Sequence, residues 1–474
     1  MTARKISRRG FLQSAVAAST AYSLMPSRAY GANERVNLGI IGVGSRGGAH
    51  LTTFSQIREV EIVAVSDADA KLMGKAGEKP AKHQDLRKLL EMKDVDAVVI
   101  AAPDHWHCLA AILAFQAGKH AYVEKPVSHS IWEGRRMVEA ARKYKRIVQA
   151  GTQQRSCPAV QQCARDIQSG MYGKVQWVHC SRLDTRKQIG RVTGPQPVPE
   201  GVDYNLWCGP SPMSPILREN FHYDWHWQWN WGTGEMGNWG VHYLDDLRHL
   251  LGWNDVPDNV MAAGNRWWDD DGETPNMHIA LMEHNGIKVV VDVRNMSVSN
   301  TSGESPEYQG ANGGNYIMCE NGHVQIARGK GKGFDKDGKV VKEYRGTGGA
   351  AHYFNFIKAL REDSSAKLAC EIEVGHLSTT LCHMANIGFR VGKAAPVEEL
   401  RENVKGNEDA ANTLQAMLEQ LNANQVDLKA KPFIVGPKLA YDAKAETFTG
   451  AHAEEANKFV RIPGRDPFNV PESV

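Results

Sequence analysis

Gly42-Val43-Gly44-Ser45-Arg46-Gly47 lies between a short apolar run, residues 36–41, and an amphipathic stretch that reaches about residue 57. Asp67 closes the next apolar run, about 20 residues beyond Gly47. Glycines at this spacing have separate tasks. Gly42 permits a tight strand-to-helix turn, Gly44 lets a phosphate approach the backbone, and Gly47 lets helix and strand pack closely. The N–H groups that open the helix, at Ser45, Arg46 and onward, have no partner within it and point at the anion. A carboxylate at the position of Asp67 accepts hydrogen bonds from a ribose diol and repels a 2′-phosphate. The chemistry implied is dinucleotide binding, with NAD favoured and NADP disfavoured.

Three further polar clusters each follow an apolar run: Pro103-Asp104-His105-Trp106-His107, Glu124-Lys125-Pro126, and Gln149-Ala150-Gly151-Thr152-Gln153-Gln154-Arg155. The runs that carry them, residues 97–101, 120–123 and 147–150, read as short strands. Helical stretches at 85–92, 109–117 and 132–144 lie between them. Continuous Val/Ile/Ala strands alternating with helices make a parallel sheet covered on both faces, a doubly wound fold. Such a sheet gathers its ligand at the carboxyl ends of its strands, where all these clusters fall.

After residue 155 the pattern changes. A helix over 159–168 leads into β-type residues at 174–181, then a Pro/Gly-rich loop at 190–201. Strand-like runs recur at 259–264, 277–282, 287–292 and 315–319, with turn signals at Asn285-Gly286 and Asn321-Gly322. Strands that follow strands predict a C-terminal α+β domain with an open, largely antiparallel sheet. Helical periodicity returns at 352–360 and 374–389. The expected organisation is a dinucleotide-binding domain over 32–155, a substrate domain over 156–396, and an extension over 397–474. That extension should hold one helix, 408–421, and then extended chain.

Trp225, Trp227, Trp229 and Trp231 alternate with His226, Gln228 and Asn230. In extended chain the four rings would share one face, a platform for the apolar C–H faces of a sugar. The same stripe is also a large hydrophobic payload for a core or a subunit contact. His222, His226 and His242 are the nearest approach to a metal cluster, but loop spacing of this kind argues against one, and no metal is expected.

The chain of 474 residues, 42% hydrophobic and 23% charged, has the size of two domains and an ordinary globular composition. Its first residues read Ser7-Arg8-Arg9-Gly10-Phe11-Leu12-Gln13, then an Ala-rich apolar stretch to Leu24 and small residues around Ala29-Tyr30-Gly31. This is a twin-arginine export leader with a cleavage site, residues 1–31, too short in its apolar part to span a bilayer comfortably. The expected location is periplasmic or extracytoplasmic. The leader holds Arg4, Lys5, Arg8, Arg9 and Arg28 and no acid, so its removal leaves 51 basic against 54 acidic residues in place of 56 against 54. A near-neutral mature chain gives no reason to expect nucleic acid or stable membrane insertion. The eight cysteines form no CxxC pair and read as small buried thiols.

In order, GIIGVGSRGGAH, APDHWH, EKP and QAGTQQR resemble the Gfo/Idh/MocA family, the relatives of glucose–fructose oxidoreductase and inositol dehydrogenase. The stretch from Trp231 to Asp245 resembles that family's glycine-rich motif, and the likeness extends over roughly residues 35–395. It implies that Lys125 lies beside the nicotinamide and that His242 is the acid/base toward a sugar hydroxyl. A histidine poised near neutrality suits that task, and an ammonium steadies developing alkoxide charge. The resemblance adds Pro103, His107, Glu124 and Gln153 to the cofactor contacts. Arg155, Asp245, Trp225 and Trp227 become the expected substrate contacts. On a helix, Asn238, His242 and Asp245 share one face. The family's aspartate four residues before the histidine is Asn238 here, an amide that orients but takes no proton.

The leading expectation is an exported, NAD-dependent oxidoreductase moving a hydride between a sugar or cyclitol carbon and a tightly bound nicotinamide. The alternative is an NAD-assisted glycoside hydrolase that oxidises, eliminates and re-reduces without net redox. A non-catalytic sugar-binding scaffold is the third reading. A homo-oligomer is expected from the resemblance.

Overall fold

The computed structural model describes residues 35–474. The leader, with Arg8 and Arg9, lies outside the described residues. Six strands, β1 (Val36–Ile41), β2 (Val60–Ser66), β3 (Ala81–His83), β4 (Ala97–Ile100), β5 (His120–Val123) and β6 (Val148–Ala150), pair in parallel in the order β3-β2-β1-β4-β5-β6. Their uniform apolar runs have a physical reason, because both faces are covered. Every residue of β4 is buried, Val98 and Ile100 toward one core, Ala97 and Val99 toward the other. Helices α1 (Ser45–Ser55), α2 (Leu86–Leu90), α3 (Asp104–Gln116) and α4 (Ile131–Lys143) make the crossovers. Because β1 pairs with β2 on one side and β4 on the other, the chain reverses direction of travel there, opening a crevice at the strand ends.

Local signals set these elements well. Ser130 caps α4, its Oγ accepting from the Glu133 N–H at 3.4 Å, while Glu133 accepts in return from the His129 N–H at 3.0 Å. This reciprocal cap holds the chain that leaves Glu124-Lys125-Pro126.

The second sheet has twelve strands. It runs through β7 (Val175–Leu183), β8 (Asn259–Asn265), β9 (Met277–His284), β10 (Ile287–Arg294), β11 (Gly313–Cys319), β12 (Gly322–Ala327), β13 (Lys330–Asp335) and β14 (Val340–Arg345). Only β10 and β7 pair in parallel; the other ladders are antiparallel, as expected. Strands β13 and β14 go unsignalled in the sequence, because they are mostly polar and half exposed. One face of the sheet buries α5 (Pro158–Gln168), α7 (Val241–Leu251) and α9 (Ile372–Arg390); the short α6 (Tyr204–Cys208) precedes α7. Helix α8 (Gly349–Arg361) instead packs Tyr353 and Phe356 on the first sheet, so the dinucleotide domain is completed from far along the chain. Among the described residues no helix is long and apolar enough to cross a membrane, and all eight cysteines are buried and free.

The extension differs from its expected form. Helices α10 (Val397–Asn403) and α11 (Glu408–Ala423) bury Leu400, Leu414, Met417 and Leu421 on the other face of the second sheet. Beyond them the chain is not free extended polypeptide. It adds β16 (Phe433–Val435), β17 (Leu439–Asp442) and β18 (Thr447–Thr449) to that sheet, β16 pairing also with β15 (Lys393–Ala395), which precedes both helices. It then straps back over the first domain and the adjoining α6. The Val460 carbonyl accepts from Trp132 N, Arg465 donates to Asn205 Oδ1 at 2.8 Å, and Phe468 meets the Trp106 ring.

Candidate active site

The glycine loop is built by contacts that no side chain would permit. Gly42 has φ +81°, and a Cβ there would lie 2.6 Å from the Ala102 nitrogen. A Cβ on Gly47 would lie 1.7 Å from the Gly42 carbonyl oxygen, whereas one on Gly44 would meet nothing within 4 Å. Two glycines therefore hold the turn and the third leaves it open toward the cleft. Asp67 clamps the same loop, Oδ2 accepting from Val43 N at 2.8 Å and Oδ1 from Asp69 N at 2.9 Å. Burial pushes its carboxyl above the usual value. Beyond its expected part toward a ribose, Asp67 thus shapes the loop itself.

The strand-end clusters converge on Glu124. Its Oε1 accepts from Arg46 Nε at 2.9 Å and Gln153 Nε2 at 3.1 Å, and lies 2.8 Å from His50 Nε2. Burial alone would raise this carboxyl, but Arg46 and His50 outweigh it and hold Glu124 well below the carboxylate range. His107 braces two of the loops, with ring nitrogens 2.6 Å from the Pro126 carbonyl and 2.7 Å from that of Ala102. Pro103 stands just before α3, whose first residue, buried Asp104, accepts from Thr233 of the second domain at 2.7 Å.

Opposite lies a single turn of π-helix, Met236–Gly240, running straight into α7. Gly237 is required there, since a Cβ would fall 1.9 Å from Thr233 Oγ1. Such turns recur at functional sites because they re-aim the residues they carry. Here the turn brings the Asn238 carbonyl to Lys125, whose Nζ donates to it at 2.6 Å and reaches Asn238 Oδ1 at 3.4 Å. Asn238 Nδ2 donates to Glu235 at 3.1 Å, which fixes the amide with its oxygen toward the lysine. Burial lowers the Lys125 pKa from its ordinary value. His242, one turn on, is buried, and its Nδ1 has no hydrogen-bond partner. Burial, then the charges of Arg328 and Lys125, hold its pKa well below 6.5, so the ring is neutral near pH 7.

These groups line one cleft of about 380 Å³. Gly42, Gly44, Ser45, Arg46 and Asp67 form one end of it. Pro103, His107, Glu124, Lys125, Gln153, Asn238, His242 and Trp225 line it as well. Gly47 packs beneath the loop. A larger hollow of about 510 Å³ beside β9 and α10 contains none of the strand-end clusters.

Three expected substrate contacts are not there. Arg155 Nε donates to Asp245 at 2.8 and 2.9 Å, Ser378 Oγ donates to the same carboxylate at 2.6 Å, and both charged residues are buried. A strand-end arginine and a helix-face aspartate are thus consumed by each other. Trp227 is buried in the core under Arg266, 4.8 Å from its ring, and against Trp268. The tryptophan platform fails because Asp224–Trp227 is a 3₁₀ turn, so alternate residues do not share a face. Trp231 joins Trp207 and Arg218, Trp229 lies against Arg390, and Trp225 lines the cleft. His222 and His226 bond to Asp69 and to the Tyr223 carbonyl respectively, away from His242. Sequence reasoning missed His50, Glu235 and Trp239, which lie inside the quoted motifs without being singled out, and Arg328, which belongs to none of them.

Comparison with known proteins agrees with this geometry. A family model described as an oxidoreductase family, NAD-binding Rossmann fold, matches residues 36–152, and its companion C-terminal α/β domain matches 158–423. Inositol 2-dehydrogenase 1 of Saccharopolyspora erythraea is 34% identical over 157 residues, 32% of this chain and 47% of that protein. An α-N-acetylgalactosaminidase of Shewanella oneidensis is 36% identical over 120 residues, 23% of this chain and 26% of that one. The matches thus span less than half the length of these relatives. The WlbA dehydrogenase of Bordetella pertussis, solved with NADH and UDP-GlcNAcA, superimposes with a TM-score of 0.57 at 21% identity, covering 75% of this chain and 97% of that one. An aldose–aldose oxidoreductase of Caulobacter crescentus, solved with glycerol, gives 0.57 at 14% identity, covering 75% and 98%. Both share the fold.

Proposed function

The chain belongs to the Gfo/Idh/MocA oxidoreductase family, with an NAD-binding Rossmann domain, and we propose that it oxidises or reduces a secondary alcohol carbon of a sugar, sugar derivative or cyclitol using a retained NAD. The observation that carries this reading is the placement of Lys125 and neutral His242 in the cleft that begins at the glycine loop. The chain fits the cofactor: space stands open over Gly44, and Asp67 lines the same end, where its charge disfavours a 2′-phosphate.

NAD supplies the acceptor or donor of the hydride when bound. His242, neutral and lining the cleft, takes the proton from the substrate hydroxyl. The Lys125 ammonium, anchored on the Asn238 carbonyl, keeps N–H groups for the oxygen where alkoxide charge develops. Asn238 orients and does not titrate. Denaturing the purified protein should release NAD, and incubation with sugars and cyclitols should accumulate a keto product. Protein free of NAD that makes no keto product would overturn the reading.

A second reading is glycoside hydrolysis through transient oxidation, elimination and re-reduction. Its support is the identity shared with the Shewanella oneidensis α-N-acetylgalactosaminidase over the N-terminal part of the chain. Aglycone release from aryl glycosides without added NAD, and without keto-sugar, would select it. The proposal includes export through the twin-arginine leader, where a recycled cofactor is a necessity; Arg8→Lys with Arg9→Lys should hold the protein in the cytoplasmic fraction. It also includes a homo-oligomer, which light scattering tests.

A further inference from the structure

We propose that Arg328 forms a subsite for a carboxylate, so that the sugar taken at this cleft is acidic, a uronate. This rests on the sugar-oxidoreductase reading above and names its substrate class. Arg328 sits in the turn between β12 and β13 and lines the cleft beside Trp239 and His242. Its guanidinium lies 5.1 Å from the Trp239 ring, and that of Arg182 lies 4.3 Å from the same ring.

The cations around the cleft differ in one respect. Arg46 is spent on Glu124, Arg182 on Asp184 and Glu235, and Lys125 on the Asn238 carbonyl. Arg186 bonds the Tyr223 hydroxyl and lies 3.9 Å from Glu235. Arg328 Nη1 is fully buried and has no acceptor at all. A buried charged donor without an acceptor is costly, and an anionic acceptor arriving with the substrate removes that cost. The carboxyl that feels Arg328 across the protein is Asp246 of α7. Its Oδ1 is itself buried without a partner, and burial together with Asp245 pushes it well above the carboxylate range. Asp246 Oδ1 and Arg328 Nη1 each lack a hydrogen-bond partner, so this carboxyl oxygen does not answer that guanidinium nitrogen. The planar fork of a guanidinium fits a carboxylate, and a single charge fits a monoanion.

The experiment is calorimetric titration of the NAD-loaded protein with methyl glucuronide and methyl galacturonide, beside the matched neutral methyl glucoside and galactoside and their 6-sulfates. At least one uronate should bind about 10- to 100-fold tighter than its neutral counterpart. Arg328→Gln should bring that ratio close to one, and Arg328→Lys should keep part of it. Equal or better binding of the neutral sugars, no binding of either uronate, or a preference for the sulfates overturns the proposal. So does loss of NAD from Arg328→Gln, which would give the guanidinium to the cofactor. Binding is read without turnover, so a missing keto product counts against the function and a missing uronate preference against this subsite alone.

Discussion

The two ends of the cleft are held by different forces. At the glycine-loop end the decisive contacts are between backbone atoms. Gly42 and Gly47 succeed because they lack a Cβ, and Asp67 grips the loop through main-chain N–H groups. At the Lys125–His242 end, position comes from buried side chains on distant segments: a π turn, an ammonium on a carbonyl, and a histidine whose Nδ1 has no hydrogen-bond partner. The first end tolerates no added atom at Gly42 or Gly47. The second depends on which protonation state each buried group adopts. A binding end can be rigid, whereas a reacting end must keep polar groups unsatisfied until substrate arrives.

The largest effect should come from Gly47→Ala. Its Cβ cannot coexist with the Gly42 carbonyl, so retained NAD should fall to a trace and stability by about 3 kcal/mol. Gly44→Ala should lower NAD content with an unchanged melting temperature. Equal melting losses in the two variants would show that the backbone does not divide these tasks. Next, His242→Gln should reduce kcat/KM by about 10²- to 10⁴-fold with NAD content intact. Full turnover by this variant would remove the histidine from the chemistry.

Trp227→Ala should destabilise by about 3–5 kcal/mol in a denaturant titration, as loss of a buried ring does. Trp225→Ala should act mainly on KM; the reverse pattern would return the core ring to the substrate. The smallest effect is on pH dependence. His242 works unprotonated and its pKa lies below 6.5, so kcat/KM should fall only as pH drops below that value. Lys125 works protonated with a pKa below 10.5, which sets the alkaline fall. Residual activity of His242→Gln should lose the acidic limb, and its persistence would assign that limb elsewhere.

The same division explains what could be read early. Gly42, Gly44, Gly47 and Asp67 were legible because a strand–turn–helix is specified by neighbours in the chain. Lys125, Glu124, Gln153 and His107 were legible because parallel strands deliver their ends to one edge. Arg155 and Asp245 misled, since nothing local announces that each is the other's partner 90 residues away. The tryptophan stripe misled because alternation implies a shared face only in extended chain, and a 3₁₀ turn replaced it. The extension misled because its short strands add to the edge of a sheet formed elsewhere.

By itself, the sequence determined the parallel sheet and the dinucleotide loop, which depend on period and short spacing, while the lysine and histidine were singled out by resemblance to a family. Tertiary structure alone decided which charges are spent and which remain. It bound Arg155 to Asp245, aimed Asn238 at Lys125 through a π turn, and left His242 and Arg328 facing the cleft with polar atoms unsatisfied. Pairing and burial depend on what surrounds a group in space, and that is known only once the chain has closed around it.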